Sequence, residues 1–234
     1  MNSYQRPASP ATTFGVRPAP ALVQQLLIGA FGWMFAGLAL TAGVAYLVTN
    51  SASLTRSAEN WILPIIIGQF ALAMALSFGI NKFTPMVSLL LFFVYAATMG
   101  LTIGIIVQFY TTGSVVGAFV SSSAMFAAAA IYGKVTKRDL TKIGSMAFMA
   151  LIGILVASFA NFFLHSTQVS WLISIVGVGI FVVLTAWDVQ RIANGQLAAI
   201  MKSAERATIF AAFQLYLDFI NLFLFMLRLF GSRR

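Results

Sequence analysis

The chain runs for 51 residues without a charge between Lys82 and Lys134, and for 45 between Lys142 and Asp188. Uncharged runs of 38 residues (Arg17 to Arg56) and 22 residues (Glu59 to Lys82) precede them. One further apolar stretch after Arg206 is broken only by Asp218 before Arg228. Soluble domains carry about one charged residue in four; here charged residues are 8% of the chain, and mean hydropathy is +0.94. This excludes a soluble globular enzyme, a disordered chain and a nucleic-acid module. The net charge of +9 does not reverse that reading, because the 14 Lys and Arg punctuate the ends of apolar stretches, as in membrane loops. With no cysteine, the chain has no disulfide, thiolate metal site or Cys nucleophile.

A bilayer core about 30 Å thick takes about 20 helical residues to cross. The 51- and 45-residue runs are each too long for one crossing. Each contains an uncharged, turn-forming break, Thr111-Thr112-Gly113-Ser114 in one and His165-Ser166-Thr167-Gln168 in the other. Each therefore reads as a helical hairpin. The expectation is an all-α membrane protein, a bundle of seven spans at roughly 22–49, 61–81, 85–109, 114–133, 143–164, 169–190 and 207–230. Barrel strands would alternate over about ten residues, whereas these runs are apolar on every side. Residues 1–21 hold four of the six prolines and read as a disordered tail ahead of a transmembrane domain over 22–234. The tail lacks the short apolar region and cleavage site of a signal peptide.

With the N-terminus inside, ten of the 14 basic residues face the cytoplasm and four face outward. The positive-inside bias therefore favours that orientation, in a bacterial cytoplasmic (inner) membrane. Arg233 and Arg234 run against it, which leaves two readings, a seventh full span or a re-entrant one; the full span is favoured here.

Only five acidic residues exist, and Glu59, Asp139 and Glu205 fall in loops. Asp188 and Asp218 fall inside or at the edge of spans, where an ionised group costs about 2.5–3.5 kcal/mol even on lenient insertion scales, so each is a functional candidate. Gln214, Asp218 and Asn221 follow an i, i+4, i+7 spacing and share one face of the seventh span, which must turn into the bundle. Two carboxylates in one apolar site tend to share a proton and titrate as a unit. Such a pair can sense pH, carry a proton, bind a cation or do acid–base chemistry; alternatively each Asp pairs separately with a local partner. Gln69 in the second span is a candidate pathway-lining residue. Gly100, Gly104, Gly153 and Gly177 fit close helix packing. His165 is the single histidine, with no ligand partners near in sequence, so no metal site is assigned.

At Thr185-Ala186-Trp187-Asp188 and Leu215-Tyr216-Leu217-Asp218-Phe219-Ile220-Asn221-Leu222-Phe223 the chain resembles the transmembrane Bax inhibitor motif family, in particular its bacterial YbhL-type branch. Tyr132 to Leu140, Met149 to Ile154 and the ending Leu227 to Gly231 extend the resemblance over everything after the tail. The resemblance implies a seven-helix bundle with the seventh helix near its centre. It also implies that Asp188 and Asp218 correspond to an aspartate pair associated with a pH-sensitive calcium leak. In calcium-leak members an arginine near the inner end of the second helix can seal the pore; ungapped matching places Lys82 there. Lysine is a departure, since it offers a point charge without a bidentate fork.

The leading functional expectation is a calcium or cation leak channel gated by protonation, with Asp188 and Asp218 as pH sensor and Gln214, Asn221 and Gln69 along the path. Calcium prefers oxygen ligands and would be held only transiently. A second reading is a non-conducting partner of a membrane protease or chaperone. A third is an intramembrane aspartyl protease, but Leu215 and Leu217 stand where such enzymes carry glycines. The reading includes no cofactor and no nucleic-acid partner, and assigns no enzyme activity. The partners it names are the bilayer, cations and other membrane proteins.

Overall fold

The computed structural model describes residues 20–201 and 203–232; residues 1–19 of the expected tail lie outside them. The described residues form nine helices: α1 (Pro20–Thr49), α2 (Ala52–Asn60), α3 (Ile62–Gly79), α4 (Pro85–Val107), α5 (Thr112–Val135), α6 (Thr141–Leu164), α7 (Thr167–Ala193), α8 (Gln196–Met201) and α9 (Ala204–Phe230). Seven of them are long and apolar enough to cross a membrane; α2 and α8 are short connectors. α2 lies in a stretch that the sequence reading leaves as an outer loop.

Five of the seven spans run further than the apolar runs alone suggest, whereas α3 and α4 each end two residues earlier; polar residues at the breaks serve as caps. Thr84, Thr111, Ser166 and Ser203 each sit just before a span and accept a hydrogen bond from the backbone N–H three residues on. Thr112, Gly113 and Ser114 therefore belong to α5 rather than to the turn, and Pro20 and Ala21 open α1 rather than close the tail. Pro20 suits a first helical turn, where its missing N–H costs nothing. Between α6 and α7 the chain turns at His165, held at a positive φ of 51°. Asn161 fastens that turn: its Nδ2 donates to the Ser166 carbonyl and to Ser170 Oγ, and its Oδ1 accepts from the Ser166 N–H.

α9 is the axis of the bundle. Of its apolar window 72% is buried, against 44% for α7 and 11% for α3 and α6. α1, α5 and α7 surround it, and α4 closes the remaining side while packing along α1. α3 leans mainly on α4, and α6 on α7.

Glycines set the tightest approaches. A Cβ on Gly100 would stand 2.6 Å from Val44 Cβ and 2.8 Å from the Thr41 carbonyl oxygen, and one on Gly104 2.7 Å from Val48 Cβ. These two residues, four apart, let α4 lie backbone-close on α1. Gly133 meets the Ala186 carbonyl across α5 and α7, and Gly177 meets the Phe225 ring across α7 and α9. Gly153, expected to pack closely, faces open space with nothing within 4 Å.

The far end of α9 resolves the choice between a full and a re-entrant last span. The Thr111 N–H donates to the Ser232 carbonyl (3.1 Å), and the Ser232 N–H donates to Ser114 Oγ (2.9 Å). Ser232, the last described residue, thus sits on the α4–α5 turn, opposite the face of α8. At 1.5 Å per residue the 27 residues of α9 cover about 40 Å, a full crossing.

Candidate functional site

Tyr216 orients the central helix. It is fully buried, and its hydroxyl lies 2.6 Å from Thr41 Oγ1, which donates to the Ala96 carbonyl at 2.8 Å. α9, α1 and α4 are thus joined by one short polar chain. Phe92 and Tyr95 pack edge-on against the Tyr216 ring, and Phe213 packs edge-on against both of them. With Tyr216 fixed on this side, Asp218 turns towards α7.

Asp218 is buried, and its Oδ2 has no hydrogen-bond partner. Its polar neighbours across the seam are the Thr185 hydroxyl and the Asp188 carboxylate. The Thr185 hydroxyl lies 2.7 Å from the Phe181 carbonyl oxygen and donates to it. Asp188 is also buried, one turn nearer the basic end of α7. Asp188 and Asp218 are neighbours across the α7–α9 seam and are not hydrogen-bonded to each other. Asp188 Oδ1 instead accepts from Arg191 Nη1 at 3.1 Å, one helical turn on. The Arg191 guanidinium lies over the Trp187 ring, 4.8 Å from its centre.

The arrangement leaves several buried polar atoms unmatched. Besides Asp218 Oδ2 they are Gln214 Oε1, Trp187 Nε1 and Arg206 Nε. Gln214 and Asp218 form a stripe on α9, as their spacing predicts, and Arg206 lies on the same face two turns below Gln214. Asn221 completes the stripe, but its Nδ2 folds back to the Leu217 carbonyl at 2.7 Å. Unmatched buried polar groups are uncommon and call for an explanation; two of these, Gln214 Oε1 and Asp218 Oδ2, lie one turn apart on the central helix.

Two expected site residues lie elsewhere. Lys82 is exposed in the α3–α4 turn and makes no ion pair among the described residues. The cation at Asp188 is Arg191, which wins by being on the same helix at i+3, where contact needs no movement of α3. Gln69 is buried in the α3–α4 seam, where its Nε2 donates to Thr102 Oγ1 at 2.9 Å. It ties two spans together and is remote from the pair, since α3 packs mainly on α4.

Gln190 was not singled out from sequence. It pins the α5–α6 loop onto α7: its Oε1 accepts from the Leu140 N–H at 2.8 Å and its Nε2 donates to the Arg138 carbonyl at 2.7 Å. Its position, two residues after Asp188 at the span's inner edge, was the available signal. In the same loop Asp139 accepts from the Thr141 N–H at 2.9 Å. That residue's hydroxyl and backbone N–H together hold the Asp139 carboxyl below the usual range. Among the described residues no cluster of three or more His, Cys, Asp or Glu could hold a metal ion.

Comparison with known proteins agrees with this architecture. The profile described as "Inhibitor of apoptosis-promoting Bax1" matches residues 23–234. The inner membrane protein YbhL of Escherichia coli K12 is 42% identical over 225 residues, covering 94% of this chain and 96% of its own. An uncharacterised protein of Deinococcus radiodurans is 40% identical over 212 residues, 90% of this chain and 92% of its own. One from Borreliella burgdorferi is 39% identical over 215 residues, 90% and 93% respectively. Seven spans, a buried central α9 and this near full-length similarity place the chain, a multi-pass protein of the bacterial inner membrane, in the Bax inhibitor family.

Proposed function

We propose that the protein is a pH-sensitive calcium (cation) leak channel, not an enzyme, gated by the carboxylates of Asp188 and Asp218. The observation that carries this reading is Asp218 itself. A carboxylate with an unpartnered oxygen, buried in the central helix of a membrane bundle, is costly to keep. No local cation offsets it, because the nearest one is engaged by Asp188.

In this mechanism the pair shares negative charge at higher pH. Arg191 is drawn to that charge and held at the inner end of the α7–α9 seam. Protonation removes the attraction; Arg191 swings to water along the Trp187 face, and the seam loosens. A cation then passes along oxygen ligands from the carboxyl groups and Gln214. Weak, multi-site binding is what conduction requires.

Purified protein in liposomes, with calcium flux followed across a pH series, tests the proposal. Flux should rise as pH falls. Arg191→Ala should raise the leak at neutral pH, whereas Lys82→Ala should leave it within about twofold of wild type, as for most exposed substitutions. Absence of any pH-dependent flux in the wild type would favour the non-conducting partner instead. A leak raised by Lys82→Ala and unchanged by Arg191→Ala would return the seal to Lys82.

A further inference from the structure

The outer half of the bundle contains a cleft of about 790 Å³ between α1 and α5. Leu38 and Ala42 of α1, Val115 and Phe119 of α5, and Ile220 and Phe223 of α9 form its walls. α1 and α5 both pack on α9 and not closely on each other, so the cleft opens sideways at the depth of lipid tails. Its size lies within the range of about 300–1,000 Å³ usual for ligand sites.

A polar hollow of about 560 Å³ adjoins the outer end of the cleft, with Thr49, Asn50 and Gln108 lining both. α2 presents Arg56 and Glu59 to this hollow. The two are three residues apart and share a helix face, yet they are not ion-paired: among the described residues the ion pair is that of Arg191 with Asp188. Gln108 fixes α2 over the mouth. Its Nε2 donates to Thr55 Oγ1 (3.1 Å) and to the Gly104 carbonyl (3.2 Å), and Thr55 Oγ1 donates to the Val48 carbonyl (2.7 Å).

We propose that this continuous site binds one zwitterionic phospholipid with a primary-amine headgroup. An acyl chain fills the cleft, the phosphate meets Arg56, and the ammonium meets Glu59. The charge pattern selects this occupant. Arg56 supplies a fork suited to phosphate oxygens. Glu59 repels a purely anionic headgroup, and its carboxylate accepts hydrogen bonds that a primary ammonium donates and a trimethylated one cannot. The site faces α1 and α5 rather than the α7–α9 seam, so it stands independently of the leak mechanism.

The test uses full-length protein in liposomes containing phosphatidylethanolamine with a photoreactive group on its acyl chain. Labelled peptides are mapped, and unlabelled lipids compete. Label should concentrate on 38–45 and 112–119. Phosphatidylethanolamine should compete about fivefold better than phosphatidylcholine, the effect of one hydrogen bond of about 1 kcal/mol that only the primary ammonium donates. Glu59→Gln should abolish that preference. Ala42→Trp and Val116→Trp, which fill the cleft from opposite walls, should each cut labelling about tenfold, as expected when a ligand chain is displaced. Should either variant fail to fold, the competition series on the wild type still decides. Labelling spread evenly over the lipid faces of α3 and α6 would overturn the site. Phosphatidylglycerol competing as well as phosphatidylethanolamine would overturn the headgroup assignment.

Discussion

α6 and α9 are apolar to a similar degree, yet 11% of the most apolar stretch of one is buried and 72% of that of the other. Hydropathy places both helices in the membrane and does not distinguish their positions in the bundle. Polar placement does. α9 carries Gln214, Asp218 and Asn221 on one face and Tyr216 on another, and each needs protein around it. α6 carries Phe148, Phe159, Phe162 and Phe163 outward, all exposed, where lipid is an adequate solvent. In a bilayer the helix with the most to hydrogen-bond goes to the centre.

The largest effect expected from this contrast is in cavity formation. Phe213→Ala in α9 should cost about 3–5 kcal/mol, as core Phe truncations do. Phe163→Ala on the outer face of α6 should stay within about 0.5 kcal/mol. Thermal unfolding in lipid nanodiscs measures both, and equal losses would break the comparison. Smaller, but still contrasting, is the response to one methyl group. Gly133→Ala drives a Cβ into the Ala186 carbonyl, a backbone atom that cannot yield easily; about 1–3 kcal/mol is expected. Gly153→Ala meets open space on α6 and should be neutral or slightly stabilising by the same melt.

The smallest effect belongs to the exposed α5–α6 loop. Because the Thr141 hydrogen bonds hold the Asp139 carboxyl down, its contribution is present above the ordinary carboxylate range. It is lost as pH falls through the folded-state value. Asp139→Asn should lower the melting point slightly at neutral pH, and the difference should vanish in acid. A difference that grows in acid would reverse the sign of this account.

The spans were legible because charge avoidance is a one-dimensional property. The central place of α9 was legible because a polar stripe must face inward. What escaped depends on which partner reaches first. The resemblance alone sets Lys82 against the pair; nothing in the sequence ranks it against Arg191, whose contact with Asp188 is local to one helix. Gln69 was grouped with the pathway by polarity alone; Thr102, on a neighbouring helix, satisfies it. α2 was hidden because nine residues with two charges give no membrane signal, although Ser51 caps it like any other helix. The Tyr216–Thr41–Ala96 chain joins residues 175 and 55 positions apart, beyond the reach of any local pattern.

The central claim is that Asp188 and Asp218 act as one titrating unit. A double-mutant cycle on calcium flux tests it most directly, comparing wild type, Asp188→Asn, Asp218→Asn and the double variant in liposomes over the same pH series. Residues acting as a unit are strongly non-additive. Each single substitution should therefore flatten the pH dependence almost as fully as both together, with raised leak at neutral pH. Additive effects, or an unchanged pH profile in both single variants, would contradict the account.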